Sequence, residues 1–494
     1  MLGGKLVQFL DLANRFVWGV PALVLILGVG IYLSIRTGFA QLRLFPRAFR
    51  VFASKLTAKP QCDGVTAIQA LCTALAATIG TGNIAGVAGA IALGGPGAIF
   101  WMWVCALFGM MTKFAEVTLA VHYRQKNDGE WVGGPMYMIT QTFRGKWRFL
   151  AFLYSFFGVI AAFGVGNATQ INAVVSSLNN VLSAFGKAAS MRRNLGVGIL
   201  LAVPIGLVLL GGAKRVAQTA QVLVPLAAGA YLLLGAGALV LRAKMIPAAF
   251  ASIFRGAFSP NAFTGGVIGS FFTSLRVGVS RGVFTNEAGM GTASIAHASA
   301  EVDVGAEQGL MGIMEVFLDT IVICTVTALV ILCSGVAIPY GTDIGAALTS
   351  QSFCAVYGSW VSLFLTLALC CFAFATVLGW GFYGSRCVQF LFGSSGVKVF
   401  AYFQIVMVVI SAVLETGFIW SLAELVNGLM AIPNLITLVV LSPKLRELTN
   451  HYKLSCGIKS AFGGTYENFN QCQPLPALSY EKVPSLRSGS EASG

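Results

Sequence analysis

Two stretches of an apolar chain carry the residue types and spacings that can do chemistry. The first reads Ala74-Leu-Ala-Ala-Thr78-Ile-Gly80-Thr81-Gly82-Asn83-Ile-Ala-Gly86-Val-Ala-Gly89, and the second Gly278-Val-Ser-Arg281-Gly-Val-Phe284-Thr-Asn286-Glu287-Ala-Gly-Met-Gly291-Thr292-Ala-Ser-Ile-Ala-His297. Both place polar and helix-poor residues midway along segments otherwise long enough to cross a bilayer. Unwinding a helix there exposes peptide groups that cost several kcal/mol each in hydrocarbon, so they must line a polar site. The N-terminus of a half-helix offers free N–H groups and a partial positive charge to a carboxylate, and freed carbonyls suit a hard cation such as sodium. A zwitterionic amino acid accompanied by Na+ uses both kinds of end. The competing reading is packing alone, because Gly82-x-x-x-Gly86 is a small-x-x-x-small pattern. It is the simpler reading of one such stretch; two at matched positions, each holding an Asn, favour a ligand site. Gly80-x-Gly82-x-x-Ala85 also fits a dinucleotide fingerprint, but it follows a helix and lacks the acidic residue about twenty positions on.

The elements that must position these residues are membrane helices. Of 494 residues, 56% are hydrophobic and only 10% charged, with a mean hydropathy of +0.80. Such a composition excludes a soluble enzyme, a disordered chain and a nucleic-acid partner. A span needs about twenty apolar residues. Eleven candidates follow: 16–36, 65–93, 96–122, 149–179, 194–212, 216–242, 260–300, 308–335, 356–392, 397–415 and 417–441. The net charge of +14 reflects placement: Arg36, Arg43, Arg47, Arg50, Lys55 and Lys59 crowd one connection, which is expected to be cytoplasmic. Alternation then puts the N-terminus outside and the C-terminus inside. The polar residues from about 449 to 494 read as a disordered cytoplasmic tail. The eleven cysteines show no metal or disulfide spacing and read as packing residues.

The interruptions fall in the second and seventh spans, five apart, as an inverted repeat of five plus five helices predicts. The expected division is therefore an extra helix and basic loop (1–60), a first repeat (61–245), a second repeat (246–445) and the tail (446–494).

At these residues the chain resembles a known family. The run Gly80–Gly86, with Ala92-Leu-Gly-Gly-Pro-Gly-Ala-Ile-Phe-Trp-Met-Trp103, Met111-Thr-Lys-Phe-Ala-Glu-Val-Thr118 and Gly133-Gly-Pro-Met-Tyr-Met138, is similar to the bacterial and archaeal alanine or glycine:cation symporters. So are Asn286-Glu-Ala-Gly-Met-Gly291 with Ala296-His297, Phe372-Ala-Phe-Ala-Thr-Val-Leu-Gly-Trp380, and Asn427 with Met430-Ala-Ile-Pro-Asn434. The match covers roughly residues 10 to 450. It implies an all-α polytopic protein of the leucine-transporter type, eleven helices in the 5+5 arrangement. It also implies sodium-coupled uptake of small neutral amino acids across a bacterial or archaeal plasma membrane, by a chain working as a monomer.

Carried over by residue, the resemblance implies that Gly80, Thr81 and Gly82 hold the substrate carboxylate, aided by Asn83 and edged by Thr78. Gln170, and second to it Asn167, would contact the substrate from the fourth span. Phe284 and Trp380 would close over its side chain. Na+ would lie between carbonyls of Ala77, Gly80 and Phe372 and the hydroxyl of Thr376, oxygen ligands that suit a hard ion. Here the chain departs from its relatives, which usually carry two adjacent hydroxyls where it has Ala375-Thr376, and often Glu where it has Ser385. Of the charges expected within spans, Lys113 and Glu116 read as a local ion pair, Arg281 and Glu287 as flanks of the second interruption, and His297 as a satisfied structural group. The rival readings are a proton-coupled transporter using Glu287, a channel, and an intramembrane enzyme. The channel lacks a continuous polar stripe and the enzyme lacks a usable constellation.

Overall fold

The computed structural model describes residues 10, 12–14, 16–57, 64–184, 186–259, 261–266, 270–342, 345–414 and 417–457, and these are mostly helical. Helices α1 (Val20–Thr37) and α2 (Phe45–Thr57) precede α3 (Ala67–Thr78) and α4 (Gly82–Gly94), which meet at 53°. After α5 (Ala98–His122) comes a hairpin in which β1 (Gln125–Asn127) pairs antiparallel with β2 (Glu130–Val132), then α6 (Pro135–Thr142). Helix α7 (Phe149–Phe163) runs through a π-type turn, Gly164–Ala168, into α8 (Thr169–Ala184). Next are α9 (Met191–Leu209), α10 (Gly212–Leu241) and α11 (Ile246–Phe258). Helices α12 (Phe271–Asn286) and α13 (Thr292–Ala298) flank the second interruption. Helix α14 (Gly305–Val316) passes through a second π-type turn, Phe317–Cys324, into α15 (Thr325–Cys333). The remainder are α16 (Ala346–Tyr357), α17 (Val361–Phe392), α18 (Ser394–Ser411), α19 (Gly417–Val440) and α20 (Ser442–Ser455).

Contacts divide the chain into two units, Met1–Thr449 and Asn450–Gly494. The first holds every element from α1 to α19. The described residues of the second, 450–457, are the end of α20 and a turn. The tail expected to be disordered from about residue 449 is instead helical as far as Ser455, the end of α20, and beyond residue 457 it lies outside the described residues, as does Lys59 of the basic loop.

Local chemistry explains the starts. Helix α3 opens on a capping box: the Gln69 N–H donates to Thr66 Oγ1 at 3.2 Å while Gln69 Oε1 accepts from the Thr66 N–H at 2.9 Å. Pro135 stands in the first turn of α6, where its missing N–H costs nothing.

Among the described residues seven helices are long and apolar enough to cross a membrane, or nine if each bent pair counts as one span. Eleven were expected. Helix α1 is a shorter apolar helix, and the seventh expected span is divided into α12 and α13, of 16 and 7 residues. The surface supports a lipid environment: Leu200, Leu226, Leu233, Leu367 and Phe403 are 61–76% exposed, while Lys113, Glu116, Glu315 and Asp319 are fully buried. Small residues let the inner helices touch. A Cβ on Gly278 would lie 2.3 Å from the Ala98 carbonyl oxygen, and one on Gly97 would lie 2.1 Å from the Gly256 backbone.

Candidate functional site

The first interruption is short. Helix α3 ends at Thr78, Ile79 is extended, and α4 opens on a π-type turn, Gly82–Gly86. The side chain of Asn83 reaches back over the gap, its Oδ1 accepting from the Gly80 N–H at 3.0 Å. Helix α17 lies against the gap. A Cβ on Gly379 would meet the Ala77 backbone nitrogen at 2.9 Å, so α17 and α3 approach as closely as glycine allows. One turn earlier, a Cβ on Gly80 would lie 2.8 Å from Thr376 Oγ1 and 3.5 Å from Gln170 Oε1. Thr376 donates its proton to the Phe372 carbonyl at 3.0 Å, which leaves its oxygen lone pairs for a cation. Gln170 donates to the Val165 carbonyl at 3.2 Å, and its own Oε1 is buried with no hydrogen-bond partner among the described residues. An unpaired acceptor beside bare peptide groups suits an ammonium ligand.

The second interruption is confined to Glu287–Gly291, although the cluster of Gly, Asn and Thr in the sequence begins at Gly278. Residues 278–286 stay helical. The chain turns because Glu287, Gly289 and Gly291 take positive φ values of 54°, 97° and 77°, and glycine at the last two removes the steric cost. Its donors are already occupied. Glu116 Oε1 accepts from the Gly289 N–H at 2.9 Å, the Gly291 N–H at 3.1 Å and Asn434 Nδ2 at 2.7 Å. Asn434 also donates to the Gly289 carbonyl, and Tyr154 donates its hydroxyl to the Met290 carbonyl at 3.1 Å. A carboxylate of the protein thus stands in this nest, where half-helix logic would seat a ligand.

The expected residues fall into two groups. Gly80, Gly82, Gln170, Phe284, Phe372, Thr376 and, through Gly379, Ala77 are gathered around the first interruption; a Cβ on Gly82 would lie 3.7 Å from Phe284 Cδ1. Thr81 is buried within it. The others are committed elsewhere. Thr78 donates to carbonyls of its own helix. Asn83 spends its amide N–H groups on Asp319 Oδ1 at 2.7 Å and the Asp319 carbonyl at 3.2 Å, so it staples α4 to the π-type turn after α14. Asn167 donates to Gln404 of α18 at 2.5 and 2.9 Å, the helix-joining alternative to substrate contact. Trp380 packs on Gly166, where a Cβ would come within 2.1 Å of its own, and donates its indole N–H to Glu287 at 3.1 Å. It serves the second interruption. Gly86 also departs from the packing reading, since a Cβ there would meet nothing within 4 Å.

The expected pairing of Lys113 with Glu116 is replaced by another. Lys113 Nζ lies 3.3 Å from Glu315 Oε1 across the α5–α14 contact, because Glu116 is turned toward the second interruption. His297 sits between Glu315 Oε2 at 3.2 Å and Gln308 Nε2 at 2.7 Å, a satisfied group. Glu116, Asn434 and Asp319 are the residues to which sequence reasoning assigned no site role. A buried acid in an apolar helix was the available signal, but nothing local names the backbone or amide it serves.

The sodium:alanine symporter family model matches residues 4–459. Over 441 residues the chain is 44% identical to the sodium/alanine symporter AgcS of Methanococcus maripaludis, covering 88% of this chain and 95% of that one. It is 36% identical over 440 residues to the probable sodium/glutamine symporter GlnT of Bacillus subtilis, covering 88% of each. Among solved structures it is similar in fold to MhsT in complex with L-phenylalanine, with a TM-score of 0.52 at 13% identity over 81% of this chain and 91% of that one. These relatives are transporters, and the chain is a membrane transporter rather than an enzyme. A broken apolar helix beside an unpaired amide, and a family match over nearly its whole length, lead to one conclusion: the chain belongs to the sodium:alanine symporter family.

Proposed function

We propose that the protein carries small neutral amino acids, alanine and glycine, into the cell together with Na+ by alternating access. The observation that carries this reading is the meeting at Gly80 of a bent, interrupted helix with the Thr376 hydroxyl and the unpaired Gln170 oxygen. In this reading the Gly80, Thr81 and Gly82 N–H groups receive the substrate carboxylate, Gln170 Oε1 its ammonium, and Phe284 limits its side chain. Na+ sits between the carbonyls of Ala77, Gly80 and Phe372 and Thr376 Oγ1, so one segment is ordered by both ligands and they bind cooperatively. One Na+ crossing 100 mV supplies about 2.3 kcal/mol, and a tenfold gradient raises this to about 3.7 kcal/mol. That sustains a several-hundred-fold accumulation of a neutral substrate.

The eleven-span 5+5 arrangement, its repeats at 61–245 and 246–445, the N-terminus outside, the plasma-membrane location and action as a monomer belong to the same proposal. The likeness to MhsT and the two interruptions support the repeat. The test is uptake of labelled alanine into proteoliposomes under a sodium gradient at fixed pH, with glycine, serine and larger amino acids as competitors. Uptake is expected to require Na+ and to be competed by glycine, and Thr376→Ala is expected to lower it to the sodium-free level. Full sodium dependence in that variant removes the ion site, and uptake driven by a pH gradient alone establishes the proton-coupled rival.

A further inference from the structure

One unbroken run of hydrogen bonds joins the two interruptions. The Gly80 N–H donates to Asn83 Oδ1 at 3.0 Å, and Asn83 Nδ2 donates to Asp319 Oδ1 at 2.7 Å. On the other side of that carboxylate, Thr320 Oγ1 donates to Asp319 Oδ2 at 2.8 Å and accepts from Asn286 Nδ2 at 3.2 Å. Asn286 Oδ1 then accepts from the Ala288 N–H at 3.0 Å. Both ends are peptide N–H groups at interrupted helices, and Asn83, Asp319, Thr320 and Asn286 are all fully buried. The centre of the run lies in the π-type turn Phe317–Cys324, a helical irregularity that is frequent at functional sites.

We propose that Asp319 and Thr320 are positioning residues that couple the two interruptions, so that a ligand seated at the first changes the order of the second. The inference rests on reading the first interruption as the substrate site. A carboxylate that draws the Gly80 N–H away from Asn83 frees the acceptor that holds this amide in place. Asn83 cannot turn without giving up Asp319, and in a dry interior each bond of such a chain polarises the next. The geometry therefore supplies two arrangements whose balance both interruptions bias, as coupling between sites requires. Both arms of the run donate toward the Asp319 carboxylate, so removal of the Thr320 hydroxyl cuts one arm while leaving both ends and the carboxylate in place.

The experiment is hydrogen–deuterium exchange of the full chain in lipid nanodiscs, with and without alanine and NaCl, read at residues 79–84 and 286–292. In the native chain the ligands are expected to slow exchange in both segments. In Thr320→Val they are expected to slow only 79–84, with alanine affinity changed by less than about threefold; Asp319→Ala is expected to uncouple the segments in the same way. Protection of 79–84 alone in the native chain, or of both segments in Thr320→Val, overturns the coupling. So does loss of alanine binding in Asp319→Ala with no change in Thr320→Val, which makes Asp319 a ligand contact. If alanine protects neither segment, the substrate reading fails. The coupling is then decided without ligand: faster exchange at both segments in Thr320→Val upholds it, and a change at one or neither overturns it.

Discussion

Gln170 shows what a single side chain brings to the proposed site. Its Nε2 is held by the Val165 carbonyl, so the amide is fixed with Oε1 turned toward Gly80 and left unpaired. A buried unpaired acceptor costs about 1–3 kcal/mol, and a charged donor recovers about 1.5–3 kcal/mol. Gln170→Ala is accordingly expected to raise the KM for alanine roughly ten- to hundredfold, with the Na+ dependence kept. Unchanged transport kinetics in proteoliposomes would remove Gln170 as a substrate contact. Asn83 shows the opposite case. It has the same chemistry and sits closer to the break, yet every amide N–H it offers goes to Asp319 and Cys324.

At the scale of elements, α17 is the piece that serves both interruptions. Thr376 meets the first, and Trp380, one turn on, meets the second through Glu287. Its seat depends on the π-type turn before α8, because Gly166 is what lets the Trp380 side chain lie against that backbone. A methyl at Gly166 would stand 2.1 Å from Trp380 Cβ and 2.6 Å from Cγ, too close for adjustment at the far end of a side chain. Overpacking of this kind costs about 1–3 kcal/mol or more. Gly166→Ala is expected to lower the midpoint of thermal unfolding in detergent by several degrees and to depress Vmax more than KM. An unaltered melting curve would mean that α17 can shift away from α8 freely.

For the whole molecule, the hairpin β1–β2 ties distant parts of the first unit together. Arg124 stacks on Trp131 at 4.1 Å and donates to the carbonyls of Ala298, the last residue of α13, and of Ala300 and Val302 just beyond it. Glu130 accepts from Arg386 near the end of α17 at 2.5 Å, and Ser394 at the start of α18 donates to Asp128. Between these elements and the α9–α10 turn lies a cavity of about 320 Å³. The orientation proposed from the excess of Lys and Arg on this connection has the hairpin on the cytoplasmic side. Lys126, exposed on β1, provides the check. Lys126→Cys is expected to react with a membrane-impermeant maleimide in inside-out vesicles and not in right-side-out ones, relative to the unsubstituted chain. The reverse pattern would invert the topology.

Composition and hydropathy determined by themselves that this is a helical membrane protein. The residues of the first interruption were equally legible, because Gly80, Thr81, Gly82 and Asn83 have no use inside an uninterrupted apolar helix. Span number was less so: Gly278–Asn286 has the residues of a break but remains helical, since its glycines let α12 pack on α5. Partnership was decided only in three dimensions. Glu116, Asn434, Asp319 and Trp380 lie far in sequence from the groups they bind, and a side chain's type fixes what it can bond but not what the packing of other helices brings within reach.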